Sequence, residues 1–102
     1  MIGVLVTCRF DEGFDAGKLR QIAEGARAKF EGMPGLRSKT FTVSEARREA
    51  INFYVWESAE AAEGFFTEST LARISELYGV RPTVTFVDVL ARVENKPHGG
   101  AA

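Results

Sequence analysis

The sequence predicts an α+β domain of order β-α-β-β-α-β, on three observations. Four stretches, 2–10, 35–44, 49–57 and 83–93, carry strand-type alternation or dense β-branched and aromatic residues. Two windows, 15–31 and 58–79, instead place their apolar residues at helical spacing. Their order along the chain is that of a split βαβ sheet.

In the first strand Ile2, Val4, Val6, Cys8 and Phe10 share one face, and Leu5 and Thr7 share the other. Leu19, Ile22, Ala23, Ala26 and Phe30 then form the stripe of an amphipathic helix, capped by Asp15 and stopped by Gly32 and Pro34. Gly35–Ser44 and Glu49–Glu57 flank the polar segment Glu45-Ala46-Arg47-Arg48, which reads as an antiparallel hairpin with a turn of several residues. Ser58 caps a segment from Ala59 to Phe66. Leu71, Ile74, Leu77 and Tyr78 keep helical spacing until Gly79 and Pro82, giving two short helices or one bent at Thr67–Thr70. Residues 83–93 form the last strand, with β-branched residues on both faces. The tail, 96–102, reads as disordered.

The result is a ferredoxin-like, four-stranded antiparallel sheet in a single domain spanning residues 1–95. Right-handed crossovers place both helical segments on one side of the sheet. Leu5 and the valines and phenylalanine of the last strand would leave the other side apolar, so a second copy is expected to pack there, sheet to sheet, as a homodimer.

Composition excludes several functions. Of 102 residues, 45% are apolar and 26% charged, and the net charge of −1 gives no footprint for nucleic acid or an anionic membrane. One cysteine and one histidine, Cys8 and His98, cannot build a disulfide framework or a Cys/His metal site, so no metal is expected. His98 lies in the glycine-rich tail, where catalytic geometry is hard to hold. Cys8 reads as a small buried hydrophobe, because no cation is placed beside it. The N-terminus is apolar for only a few residues and reaches Arg9, which fits neither a signal peptide nor a membrane span and leaves a cytoplasmic address. The glycines form no phosphate-binding loop. Arg47 and Arg48 read as a solvated turn, and Arg20, Arg27 and Lys29 as scattered surface charge.

The stretch Ile51-Asn-Phe-Tyr-Val-Trp-Glu-Ser58 stands out. Ile51, Phe53 and Val55 make a plain core stripe. The opposite face carries Asn52, Tyr54 and Trp56, an amide and two rings with polar handles. Two readings stay open: a core stripe whose amide bonds the backbone, or the lining of a pocket.

From Met33 the chain reads Met-Pro-Gly-Leu-Arg-Ser-Lys-Thr-Phe-Thr-Val-Ser-Glu, and from Glu49 Glu-Ala-Ile-Asn-Phe-Tyr-Val-Trp-Glu-Ser-Ala-Glu-Ala-Ala. With Pro34-Gly35-Leu36, Lys39, Phe41, Ser44-Glu45, Tyr54, Ala72-Arg73 and Gly79-Val80 in that order, the segment 34–95 resembles the YdhR-like monooxygenases. These belong to the dimeric α/β-barrel proteins that include the antibiotic biosynthesis monooxygenases. The resemblance implies a cofactor-free oxygenase that acts on electron-rich aromatics, such as anthrones and hydroquinones, with molecular oxygen and without metal or flavin. It also implies that Asn52 and Trp56, at Asn-x-x-x-Trp spacing, are the catalytic pair, with Tyr54, Arg73, Phe66, Phe41 and Lys39 around the substrate. The YdhR-like branch usually has glycine at the position of Asn52, so the Asn-Trp match is to the wider family. Haem-degrading relatives have histidine where Phe66 stands, which speaks against haem cleavage, and the tyrosine of the polyketide-oxidising enzymes falls near Ala62. Arg73 faces either a phenolate or solvent. Two other classes remain open: a non-catalytic ligand-binding or stress-related dimer, and an isomerase or dehydratase using Asp88 or Glu57.

Overall fold

Each helix starts on a side-chain cap. The computed structural model describes residues 1–97 and places α1 at Ala16–Phe30, α2 at Ala59–Phe65 and α3 at Glu68–Tyr78. Asp15 accepts the Lys18 N–H at 3.1 Å, Ser58 accepts that of Ala61 at 3.1 Å, and Thr67 accepts that of Thr70 at 3.2 Å. Thr67 is therefore a new cap within the expected 58–79 window, and the window divides there into two helices. Gly79 ends α3 in the left-handed conformation, φ 79°, and donates its N–H to the Ser75 carbonyl.

Four strands, β1 (Ile2–Arg9), β2 (Leu36–Ser44), β3 (Glu49–Trp56) and β4 (Thr83–Asp88), form one sheet of order β2-β3-β1-β4 in which every neighbouring pair is antiparallel. This is the expected ferredoxin-like arrangement. The β2–β3 turn is the polar segment 45–48, with Arg48 at φ 53° and its N–H bonded to the Glu45 carbonyl.

All three helices pack on one face. Val4, Val6, Tyr54 and Trp56 meet Ala62 of α2, Phe30 of α1 and Ile74 of α3, and Cys8 and Ala50 meet Leu19 of α1 and Tyr78 of α3. The register sets Ile2, Val4, Val6 and Cys8 of β1 opposite Trp56, Tyr54, Asn52 and Ala50. The Asn52 stripe is thus the helix-covered one. Ile51, Phe53 and Val55 do not lie beneath the helices as a core stripe would; by alternation they share the open face with Gly3, Leu5 and Thr7. A Cβ on Gly3 would come within 3.0 Å of both Phe53 and Val87, so these two side chains close over β1 on that open face.

Two further positions depart from or sharpen the sequence reading. The last strand ends at Asp88, five residues short of the expected 93. Asp88 is opposite Ile2, the first residue of β1, and after the bond from Val89 N–H to the Met1 carbonyl at 3.1 Å the ladder has no neighbouring strand left. Leu90 and Val93 are left 94% and 84% exposed. Gly35 has φ 81°, and a Cβ there would come within 2.9 Å of the Ala61 Cβ. Its carbonyl accepts the Glu57 N–H at 2.8 Å, which ties β2 to the end of β3. Gly35→Ala should therefore cost at least about 1 kcal/mol, read as a lowered Tm. Lys96 and Pro97 are exposed and lie outside any regular element; His98 and the rest of the tail fall outside the described residues.

Candidate active site

Between α1, α3 and the sheet lies a chamber of about 130 Å³. Its aromatic walls are Phe30, Phe41, Tyr54 and Phe65, and its polar groups are Lys29, Lys39, Asn52, Thr70, Arg73 and Tyr78. A cavity of roughly 150 Å³ holds one benzene ring. The chamber shares Lys39, Phe41, Asn52 and Tyr78 with a groove of about 380 Å³ that runs along α1 and β2. Chamber and groove together reach the size of ordinary small-molecule sites, roughly 300–1,000 Å³.

Asn52 is 4% exposed, and its Nδ2 donates to the Tyr78 hydroxyl at 3.0 Å. That bond occupies an acceptor site of the hydroxyl and leaves the Tyr78 O–H free to donate elsewhere. Burial raises the Tyr78 phenol above its ordinary pKa, against the opposing effect of the Asn52 hydrogen bond. Burial likewise raises Tyr54, with Tyr78 and Cys8 adding to it. Both phenols are therefore protonated near neutral pH. Cys8 is buried and pushed up to about 11 for the same reason, so it is a thiol and a poor nucleophile, as its sequence context suggests.

Lys39 is the unusual cation. Its Nζ lies 3.6 Å from the ring centre of Phe30, 4.2 Å from that of Phe41 and 4.4 Å from that of Tyr54. Among the described residues no carboxylate pairs with it. Burial, helped by the nearby charge of Lys29, lowers it from 10.5 to about 7. A lysine depressed in this way binds its proton more weakly folded than unfolded. Stability should then rise with pH between about 7 and 10, where only the unfolded chain holds the proton. Lys39→Met should raise Tm at pH 7 and below, with the gain fading as pH approaches 10, as thermal melts across that range would record.

Five of the seven residues singled out from sequence, Lys39, Phe41, Asn52, Tyr54 and Arg73, line this chamber. Trp56 and Phe66 do not. Trp56 is 1% exposed, stacks on Tyr54 with ring centres 6.1 Å apart, and packs against Phe65 and Phe66. Its indole Nε1 is buried with no hydrogen-bond partner. Phe66 touches the chamber wall only through the edges of Tyr54 and Phe65. The sequence marks Tyr78 as a helix residue and nothing more. Its chemical signal, a phenol one residue ahead of a glycine stop, is too common to mark a site.

No family model matches the chain, and no curated protein does. Solved structures do. ActVA-Orf6, a monooxygenase of Streptomyces coelicolor crystallised with nanaomycin D, superposes with a TM-score of 0.65 at 21% identity, covering 93% of this chain and 92% of that one. SnoaB, a cofactor-independent oxygenase of Streptomyces nogalater, gives 0.64 at 10% identity over 92% and 97%. Rv0793 of Mycobacterium tuberculosis gives 0.66 at 16% identity over 91% and 98%. The chain shares the ferredoxin-like α+β fold of these structures. In this version of the fold the chamber lies under α1 and α3, against the face of β3 that carries Asn52. Among the described residues no group of three or more His, Cys, Asp or Glu is placed to hold a metal ion, and no helix is long and apolar enough to cross a membrane.

Proposed function

We propose that this protein is a cofactor-independent monooxygenase that oxidises a small quinol- or anthrone-like aromatic with molecular oxygen, acting in the cytoplasm as a homodimer. The observation that carries the reading is the ring-sized chamber in which Asn52, Tyr78, Lys39 and Arg73 converge between aromatic walls. Its fold, shared with a cofactor-independent oxygenase and with a monooxygenase crystallised with nanaomycin D, agrees with it. The resemblance of residues 34–95 to the YdhR-like pattern supports a place in or near that branch.

The chemistry asks little of the protein. An anthrone-like substrate supplies four electrons from one ring CH2, which becomes C=O; one oxygen atom enters the product and the other leaves as water. The protein must hold the ring, exclude water and stabilise the substrate anion that reacts with oxygen. The phenyl walls hold the ring and limit its contact with water. Tyr78 O–H, oriented by Asn52, is the hydrogen-bond donor for the anion, and Arg73 adds positive charge at the rim. Tyr54 forms part of the wall, and Trp56 sets the position of Tyr54 from behind.

The open sheet face supports the dimer. Leu5, Ile51, Phe53 and Val87 form an apolar centre there, flanked by Thr7, Thr40, Thr42, Thr83 and Thr85. Sedimentation at micromolar concentration should return twice the mass of one chain. The test of function is oxygen uptake with a panel of anthrones and hydroquinones, with chelator present. Uptake with formation of the ring ketone is expected. Tight binding of the panel without uptake would make the protein a ligand-binding dimer, and turnover that continues without oxygen would make it an isomerase or dehydratase.

A further inference from the structure

The oxidation proposed above starts from a substrate anion, so a proton has to be taken up inside the chamber. Few groups there can take it. Asn52 and Thr70 are not bases, and Tyr54 and Tyr78 are held as neutral phenols. Arg73 on α3 is a guanidinium, a hydrogen-bond donor with no acceptor. Among the residues lining the chamber there is no carboxylate at all. The two carboxylates in the adjoining grooves sit on the α1 side. Glu24 pairs with Arg27 at 3.4 Å, and Glu31 lines a separate hollow that also holds Arg27 and Arg37. Arg20 adds another cation to the groove.

Lys39 differs from all of these in place and in surroundings. It lines the chamber, the groove along α1 and the hollow at the start of β2, so it stands where the three meet. Its Nζ lies within 4.4 Å of three ring centres, on a side chain that points from β2 beneath α1. We propose that Lys39 is the general base of this site: its amine takes the proton of a phenol-class aromatic, which the chamber holds as the anion. The inference rests on the functional reading above and names the group that would generate the reactive species.

In the step, the substrate O–H bond breaks and its electron pair stays on oxygen. An N–H bond forms at Nζ, and the neutral amine becomes an ammonium. No net charge is created in the chamber; a dipole of ammonium and phenolate replaces two neutral groups, with the phenolate near Tyr78 O–H and the cations of Arg73 and Lys29. The amine is populated at neutral pH because burial and Lys29 weaken its hold on a proton. A base near neutrality is also the kind that works best in proton transfer at that pH.

The test reads ionisation without turnover. 2-Naphthol is titrated into the protein under nitrogen at about pH 8.5, above the ionisation of Lys39 and below that of free naphthol, typical phenols ionising near 10. The naphtholate absorbance band should appear on binding, with no proton released to a pH indicator, because pairing of the phenolate with the ammonium, Tyr78 O–H and Arg73 offsets the weaker acidity of naphthol and Lys39 keeps the proton. Lys39→Met should bind naphthol in its neutral form. Lys39→Arg, a fixed cation, should give naphtholate with one proton released. Wild-type protein that leaves naphthol neutral, releases the proton, or fails to bind naphthol overturns the proposal. In oxygen uptake Lys39→Met should lose about 10²-fold, with partial rescue by methylamine. Naphtholate formation without oxygen uptake by any substrate would sink the oxygenase reading and leave the base standing.

Discussion

Asn52→Ala should lower the oxygenation rate by about 10²–10³-fold, the usual cost of removing an oriented donor from a developing anion. The loss comes through Tyr78. Without the amide, the hydroxyl 3.0 Å away loses the partner that fixes it and is free to turn from the chamber. Tyr78→Phe should lose a similar amount, and the double variant little more than either alone, because the two groups act as one unit. Stability should fall by only about 1 kcal/mol in Asn52→Ala, the worth of one buried hydrogen bond. Steady-state oxygen uptake beside a thermal melt separates the two effects. Equal rates for Asn52→Ala and wild type would remove the dyad from the mechanism.

Trp56→Ala should have the largest effect on folding, about 3–5 kcal/mol. The ring is 1% exposed and packed against Tyr54, Phe65 and Phe66, so its removal leaves a cavity in the core. For a domain of this size that corresponds to a drop in Tm of roughly 15–30 °C. Trp56→Phe should cost distinctly less. Part of what it removes is an indole N–H that has no partner, a group whose burial is unfavourable in the native protein. A calorimetric melt of the two variants decides the point. A Trp56→Phe protein as damaged as Trp56→Ala would mean that the indole N–H has a partner after all.

Much of the fold was legible because its signals are local. Leu19, Ile22, Ala26 and Phe30 recur at helical spacing, and Asp15, Ser58 and Gly79 mark ends that the backbone confirms. The last strand stops short of its sequence pattern for a nonlocal reason. Residues 89–93 continue the apolar run with Val89, Leu90 and Val93, but a strand needs a neighbour, and β1 runs out opposite Asp88. The faces of β3 were legible as two stripes. Which stripe faces the helices was not, because alternation is symmetric and only packing breaks the tie.

The chamber divides in the same way. Asn52 and Tyr54 stand out on their stripe, and the family resemblance adds Lys39, Phe41 and Arg73, on strands and a helix that converge in the structure. Trp56 shares the face and the spacing, yet the aromatic layer formed by Phe65 and Phe66 seals it away. Tyr78 could not have been picked, since its bond to Asn52 spans 26 positions and depends on how α3 lies across the sheet. The aromatic surroundings of Lys39 likewise draw on α1, β2 and β3 at once.

The bond between Met1 and Val89 has a practical consequence for anyone who expresses the protein. Amino acids fused ahead of Met1 would extend β1 alongside Leu90–Val93, which lie outside any strand and whose leucine and valine lack cover. An affinity handle at that end is therefore not inert, since a vector-derived peptide with strand propensity could zip onto the overhang and alter how copies associate. A handle at the other end of the chain, or one excised before measurement, avoids this artefact.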